Sequence, residues 1–147
     1  MKLYTIGFSS KSAQQFFELL QQHKIKTLWD IRLNNKSQLA AFTKNPDLPY
    51  FLTQIAAIGY RHYPELAPDA ELLNLWRAKQ ITWEAYQEDF SALMQKRDSN
   101  AFLKKQWRQS PKPICLLCSE VTPEYCHRAL VALQIQQIYP KTEVIHL

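Results

Sequence analysis

The sequence predicts an α/β fold: a three-layer sandwich with a mostly parallel sheet, helices on both faces, and a helical insertion before the last two strands. Three observations lead there. Short apolar runs of strand character recur at 3–7, 26–32, 60–63, 114–117 and 142–147. Segments of helical periodicity lie between them, which is what parallel pairing requires of its connections. The run Ile114-Cys115-Leu116-Leu117 is apolar without alternation, as a strand buried on both faces should be.

The first run ends on Gly7, one of only two glycines. Ser12 with Gln15 has the form of a capping box, and Phe16, Leu19 and Leu20 recur at helical spacing, so a helix is expected over 12–23 with His23 solvated at its end. The second strand brings Asp30 and Arg32 to the same face, two residues apart. They form either a joint ligand-binding pair or a salt bridge tying strand end to loop. The polar stretch 33–49 is long for a connection, and Lys36, Ser37 and Lys44 make it either a phosphate-binding loop or a solvated one. A helix over 49–58 should close at Gly59 in the C′ position. Pro64 ends the strand at 60–63 and leaves Glu65 in another strand-end loop. Helices are expected over 69–78, 82–97 and 99–109, with Trp83, Tyr86, Phe90 and Leu93 forming a stripe that reads as core. Pro111 and Pro113 end that block. Thr122 as N-cap and Pro123 at the first helical position predict the last helix over 123–138, before a closing strand that carries His146.

A chain of 147 residues can bury one sizeable core, so a single domain, residues 1–147, is expected without a linker. With 46% hydrophobic and 21% charged residues, it has the composition of an ordinary globular chain. No basic stretch leads an apolar helix and no run is long enough to span a bilayer, which points to a cytoplasmic protein without a membrane partner. Three cysteines in such a chain are expected as reduced thiols. The formal net charge of +5 favours an anionic partner, whether a small anionic or nucleotide-like ligand or nucleic acid. Gly7 and Gly59 alone cannot build a Gly-x-Gly-x-x-Gly turn or a Walker A loop, so side chains and helix ends would have to hold a nucleotide. The pattern leaves the oligomeric state open.

Chemistry concentrates in 118–128, where two thiols, an imidazole, a guanidinium and two carboxylates follow the buried strand. Cys118, Ser119 and Glu120 fall in a strand-to-helix loop at the carboxyl edge of the sheet, where ligands bind in open α/β folds and a new helix points its free N–H groups. Cys118 stands where a phosphatase or sulfurtransferase nucleophile would stand. Such enzymes continue with a backbone cradle and an arginine, but Glu124 takes that place here, and Glu120 and Glu124 would repel phosphate. Cys118, Cys126 and His127 are acceptable zinc ligands in type, yet their spacing is not that of a compact zinc motif. On a helix, adjacent Cys126 and His127 would also diverge by about 100°. Cys126 would instead share a helix face with Leu130 and Leu133 as a small core residue, and no metal or cofactor is expected. Glu120 ranks first for proton transfer, with Cys118 and His127 as the other catalytic candidates. The binding candidates are Gly7, Ser9, Asp30, Arg32, Glu65 and Arg128, which a parallel sheet would deliver to one edge. Arg128 is either free for bidentate binding of an anion or paired with Glu124 at i,i+4.

Thr5-Ile6-Gly7-Phe8-Ser9, Asp30-Ile31-Arg32, the stretch from Tyr60-Arg61-His62-Tyr63 to Pro64-Glu65-Leu66, and above all Leu116-Leu117-Cys118-Ser119-Glu120 followed by Cys126-His127-Arg128 resemble the family called domain of unknown function 488. The resemblance spans nearly the whole chain. It implies a compact α/β domain and names no reaction. Phe8 stands where members often carry histidine, Asn35 where proline is common and Ala67 where glycine is usual, so a mechanism needing an imidazole in the first loop is disfavoured. Two readings follow from the residues. One is an enzyme acting on a small anionic or nucleobase-like ligand through the Cys-x-Glu and Cys-His-Arg residues. The other is a non-catalytic nucleic-acid or ligand-binding module using its positive charge.

Overall fold

The computed structural model describes residues 1–147. Five strands, β1 (Lys2–Gly7), β2 (Thr27–Asp30), β3 (Gly59–His62), β4 (Ile114–Cys118) and β5 (Glu143–His146), form one sheet in the order β3-β2-β4-β1-β5. Every pairing is parallel. β4 is central and buried along its whole length. Ile114 and Leu116 face one side while Cys115 and Leu117 face the other, the period-two alternation that lets one apolar run feed two cores.

The helices are α1 (Ala13–Gln22), α2 (Asp47–Phe51), α3 (Ala70–Arg77), α4 (Trp83–Lys96), α5 (Ser99–Gln109) and α6 (His127–Ile138). On one face, Phe16, Phe17 and Leu20 of α1 pack with Leu48 and Leu52 onto Tyr4, Ile6, Leu28 and Leu117. On the other, Leu72, Tyr86, Phe90, Leu103, Trp107, Val131 and Ile135 from α3 to α6 pack onto Leu3, Trp29, Ile31, Ile114 and Leu116. The aromatic stripe of α4 is therefore core, apart from the half-buried Trp83 at its start. Each fully buried aliphatic or aromatic side chain here contributes about 1.5–3 kcal/mol relative to exposure. The expected sandwich is the observed one, with a sheet that is parallel throughout and α3 to α5 inserted between β3 and β4. No helix is long and apolar enough to cross a membrane.

The capping box at the start of α1 forms as read: Ser12 accepts from the Gln15 amide, and the Gln15 side chain accepts from the Ser12 amide. Two expectations are corrected. The helix foreseen over 49–58 is a short α2 followed by a wider turn, Leu52–Ala56, and the left-handed closing residue is Ala57 rather than Gly59, which opens β3. The last helix starts at His127, four residues later than Pro123. Tyr125 takes a left-handed φ of 57°, which no continuing helix accommodates, and Cys126 is an extended N-cap with φ −127° and ψ 136°. Residues 119–126 are consequently loop.

Connections leaving β1 and β2 cross the first face, whereas those leaving β3 and β4 cross the second. β4 thus lies between two neighbours whose chains depart to the opposite side. That reversal opens a crevice at its carboxyl end, and Cys118 is its last residue.

Candidate functional site

Three groups meet at the end of β4. Cys118 Sγ lies 3.2 Å from Cys126 Sγ and 3.6 Å from His127 Nδ1. All three side chains are buried and unbridged. The late helix start explains the meeting. An extended Cys126 and a helical His127 direct adjacent side chains to the same point, so the divergence argued from a continuous helix does not apply. Cys126 is buried as foreseen, but as an extended N-cap it shares no helix face with Leu130 and Leu133, and Leu133 is half exposed.

His127 Nε2 lies 2.7 Å from the Ile31 carbonyl oxygen, at the end of β2. A carbonyl can only accept, so Nε2 carries a proton and Nδ1 faces the thiols. Hydrogen bonding from Cys126 holds the Cys118 thiol well below its ordinary range; burial opposes this, and the charge and hydrogen bond of His127 add to it. The same contact with Cys118, reinforced by burial, pushes Cys126 up. Burial works against a charged His127, but the charge and hydrogen bond of Cys118 and the Ile31 carbonyl outweigh it, so its pKa is raised. The trio favours a thiolate on Cys118.

Above these groups lies a cavity of about 240 Å³ lined by Cys118, Ser119, Glu120, Tyr125, Cys126 and His127, with Arg32, Leu33, Asn34, Pro68, Leu73, Trp76, Arg77 and Tyr86 completing its walls. Glu120 is exposed at its rim. Trp76, Tyr86 and Tyr125 supply an aromatic wall, with ring centroids 5.4 and 6.5 Å from Trp76. Burial raises the Tyr86 pKa, and the neighbouring Cys118 and Cys126 raise it further, so this phenol stays a donor. A larger depression of about 430 Å³ between α4, α5 and α6 is lined mostly by amides, hydroxyls and apolar side chains and has no Cys or His. Its chemistry is poorer, so the smaller cavity is the candidate site.

The remaining candidates sit around this cavity in different capacities. Asp30 and Arg32 form a buried bidentate salt bridge at 2.8 and 2.7 Å, and Arg32 also donates to the Thr43 hydroxyl and carbonyl. The Tyr60 hydroxyl donates to Asp30 at 2.6 Å, and burial together with the Asp30 charge raises its pKa. This network moors the 33–49 loop. Arg128 is fully buried without a carboxylate partner: Nη1 and Nη2 donate to the Glu120 and Val121 carbonyls at 2.5 and 3.3 Å, while Nε has no partner. It is neither free for an anion nor paired with Glu124, because the loop carbonyls occupy it. Gly7 lies beneath that loop, where a Cβ would come within 1.5 Å of the Glu120 oxygen. Ser9 meets the loop through its backbone amide, which donates to Ser119 at 3.2 Å. Glu65 is exposed and does not line the cavity. Cys118, Glu120, His127 and Arg32 reach the cavity directly, while Gly7, Ser9 and Arg128 hold the loop that carries Glu120.

Cavity residues not singled out in the sequence include Trp76, Arg77 and Tyr125. The first two belong to the helical insertion, whose placement above β4 follows from a long-range fold that no local pattern encodes. Tyr125 was legible only as the residue before Cys-His-Arg.

A family model described as "Domain of unknown function DUF488" matches residues 12–135. No curated protein and no solved structure matches the chain.

Proposed function

The chain belongs to the DUF488 family, whose description assigns no reaction, and we propose from its geometry that it is an enzyme acting on a small, planar, anionic ligand of the nucleobase or nucleotide type. One observation carries this reading: an aromatic wall, a carboxylate, an arginine and a Cys-Cys-His floor surround one cavity at the carboxyl edge of a parallel sheet. The volume of about 240 Å³ is below the ~300–1,000 Å³ that takes drug-sized ligands. It suits a nucleobase, with the sugar and phosphate of a nucleotide extending out through its open mouth. Trp76 and Tyr125 offer π-faces to the ring, and Arg77 offers charge for a phosphate or carboxylate. Glu120, an acceptor only when ionised, suits a ring edge that presents N–H donors, and a carboxylate there moves a proton to or from that edge. Three buried free thiols fit a reducing, cytoplasmic setting for such chemistry.

The test is calorimetric titration with GMP, whose guanine edge is donor-rich, alongside AMP, which lacks the N1–H and amino pair. The reading expects GMP to bind more tightly than AMP and Glu120→Gln to weaken GMP by about tenfold or more, the worth of one charged hydrogen bond. Equal binding of both nucleotides, unchanged by Glu120→Gln and by Trp76→Ala, would remove the site from consideration.

A further inference from the structure

We propose that Cys118, Cys126 and His127 bind one divalent, thiophilic metal ion of the zinc class, with its fourth coordination position open to the cavity. The inference deepens the ligand-site reading. It rests on that reading for what reaches the open position, whereas coordination by the three side chains stands on geometry alone.

The ligand atoms lie within 4.8 Å of one another, and all three residues are buried. A tetrahedral ion bonded at ~2.3 Å to sulfur and ~2.0–2.1 Å to nitrogen holds neighbouring ligand atoms about 3.5–3.8 Å apart. The Cys118-to-His127 distance of 3.6 Å already satisfies this, the Cys118-to-Cys126 distance of 3.2 Å needs to open by about half an ångström, and the Cys126-to-His127 pair, which sets the 4.8 Å spread, needs to close by about 1 Å. Side-chain rotation at an extended N-cap can supply that movement. His127 is prepared for the role, because the Ile31 carbonyl fixes the proton on Nε2 and leaves the Nδ1 lone pair aimed at the thiols. A carbonyl behind a ligating imidazole is the usual way to set its tautomer and orientation.

Two thiolates balance the charge of a divalent ion while His127 stays neutral, so the occupied centre adds no net charge beside the buried Arg128. The donor set of two sulfurs and one imidazole selects zinc-like ions over magnesium or calcium, which take oxygen. Three protein ligands, with no fourth Cys, His, Asp or Glu in the group, make an open centre rather than a closed structural one. The same three residues line the cavity, so the open position faces the space assigned to the ligand.

The experiment strips the full chain with a chelator and titrates it with Co²⁺ as an optical substitute for Zn²⁺. A thiolate-to-cobalt charge-transfer band and tetrahedral visible bands should saturate at one ion per chain and vanish when Zn²⁺ is added. Cys118→Ser and Cys126→Ser should each weaken the ion by more than the ~10–100-fold lost with a mere supporting partner, while Cys115→Ser leaves the spectrum intact. Should the two serine variants fail to fold, X-ray absorption at the zinc edge of the unmutated protein decides, with two sulfurs and one nitrogen expected from protein. Absence of the charge-transfer band, or a cobalt affinity unchanged by both Cys118→Ser and Cys126→Ser, overturns the centre. GMP is then added to the cobalt form. A shift of the visible bands supports ligand access to the open position, and unchanged bands despite calorimetric binding of GMP overturn that access while leaving the metal centre standing.

Discussion

Gly7→Ala gives the sharpest structural consequence. The new methyl carbon would sit 1.5 Å from the Glu120 carbonyl oxygen and 2.7 Å from Arg128 Nη1. Carbon and oxygen approach to about 3.3 Å without a bond, so the loop would have to retreat by about 1.8 Å. That retreat breaks the 2.5 Å bond from Arg128 to Glu120, a charged hydrogen bond inside the protein worth about 1.5–3 kcal/mol. Forcing a methyl into a filled site adds about 1–3 kcal/mol. The sum, about 2.5–6 kcal/mol, is a large part of the 5–15 kcal/mol typical of a domain. At roughly 2–4 °C per kcal/mol for a chain of this size, Tm should fall by about 5–24 °C. Thermal unfolding followed by circular dichroism measures it. A Tm within 2 °C of the parent would refute the packing of Gly7 under the Arg128 clamp.

Asp30→Asn removes one charge of a fully buried pair and should cost about 3–5 kcal/mol, because Arg32 is left buried without its counter-charge; urea unfolding with a midpoint unchanged from the parent would contradict this. Glu120→Gln, on an exposed loop residue, should leave stability within about 0.5 kcal/mol while reducing GMP affinity, and a large loss of stability would mean that Glu120 holds the fold. In reduced, metal-free protein Cys115 should resist iodoacetamide until unfolding, since it is fully buried and burial raises its thiol pKa; peptide mapping that finds Cys115 labelled as fast as Cys118 would defeat that assignment. Burial, with the nearby Arg128 charge, lowers the His146 pKa below its ordinary 6.5, so the unfolded chain takes up the proton more readily and stability falls as pH drops below about 6.5. His146→Gln should flatten part of that fall between about pH 7 and 5, and an unaltered profile would assign the acid loss to other groups.

The sheet was legible because each strand is an apolar run closed by helical sequence, and the right order of elements leaves few topologies. β4 announced itself by four uninterrupted apolar residues and its reactive sequel. The start of α6 was not legible: Thr122-Pro123 carries a strong local signal, but the turn at Tyr125 and the burial of Cys126 and His127 over β4 override it. That single displacement hid the Cys-Cys-His meeting, since a helix would have separated the side chains that an extended N-cap brings together. Arg128 misled for a related reason. Its spacing from Glu124 suggested a surface pair, whereas the loop folds back and offers carbonyls instead. The aromatic wall needed the long-range docking of α3 and α4, which sequence periodicity marks only as core.

The most direct measurement is a crystal structure of the protein grown with GMP. The account predicts the guanine ring against Trp76 and Tyr125, its donor edge on the Glu120 carboxylate and its phosphate toward Arg77, above Cys118 and His127. Guanine density elsewhere on the molecule, with this cavity holding only solvent, would contradict it.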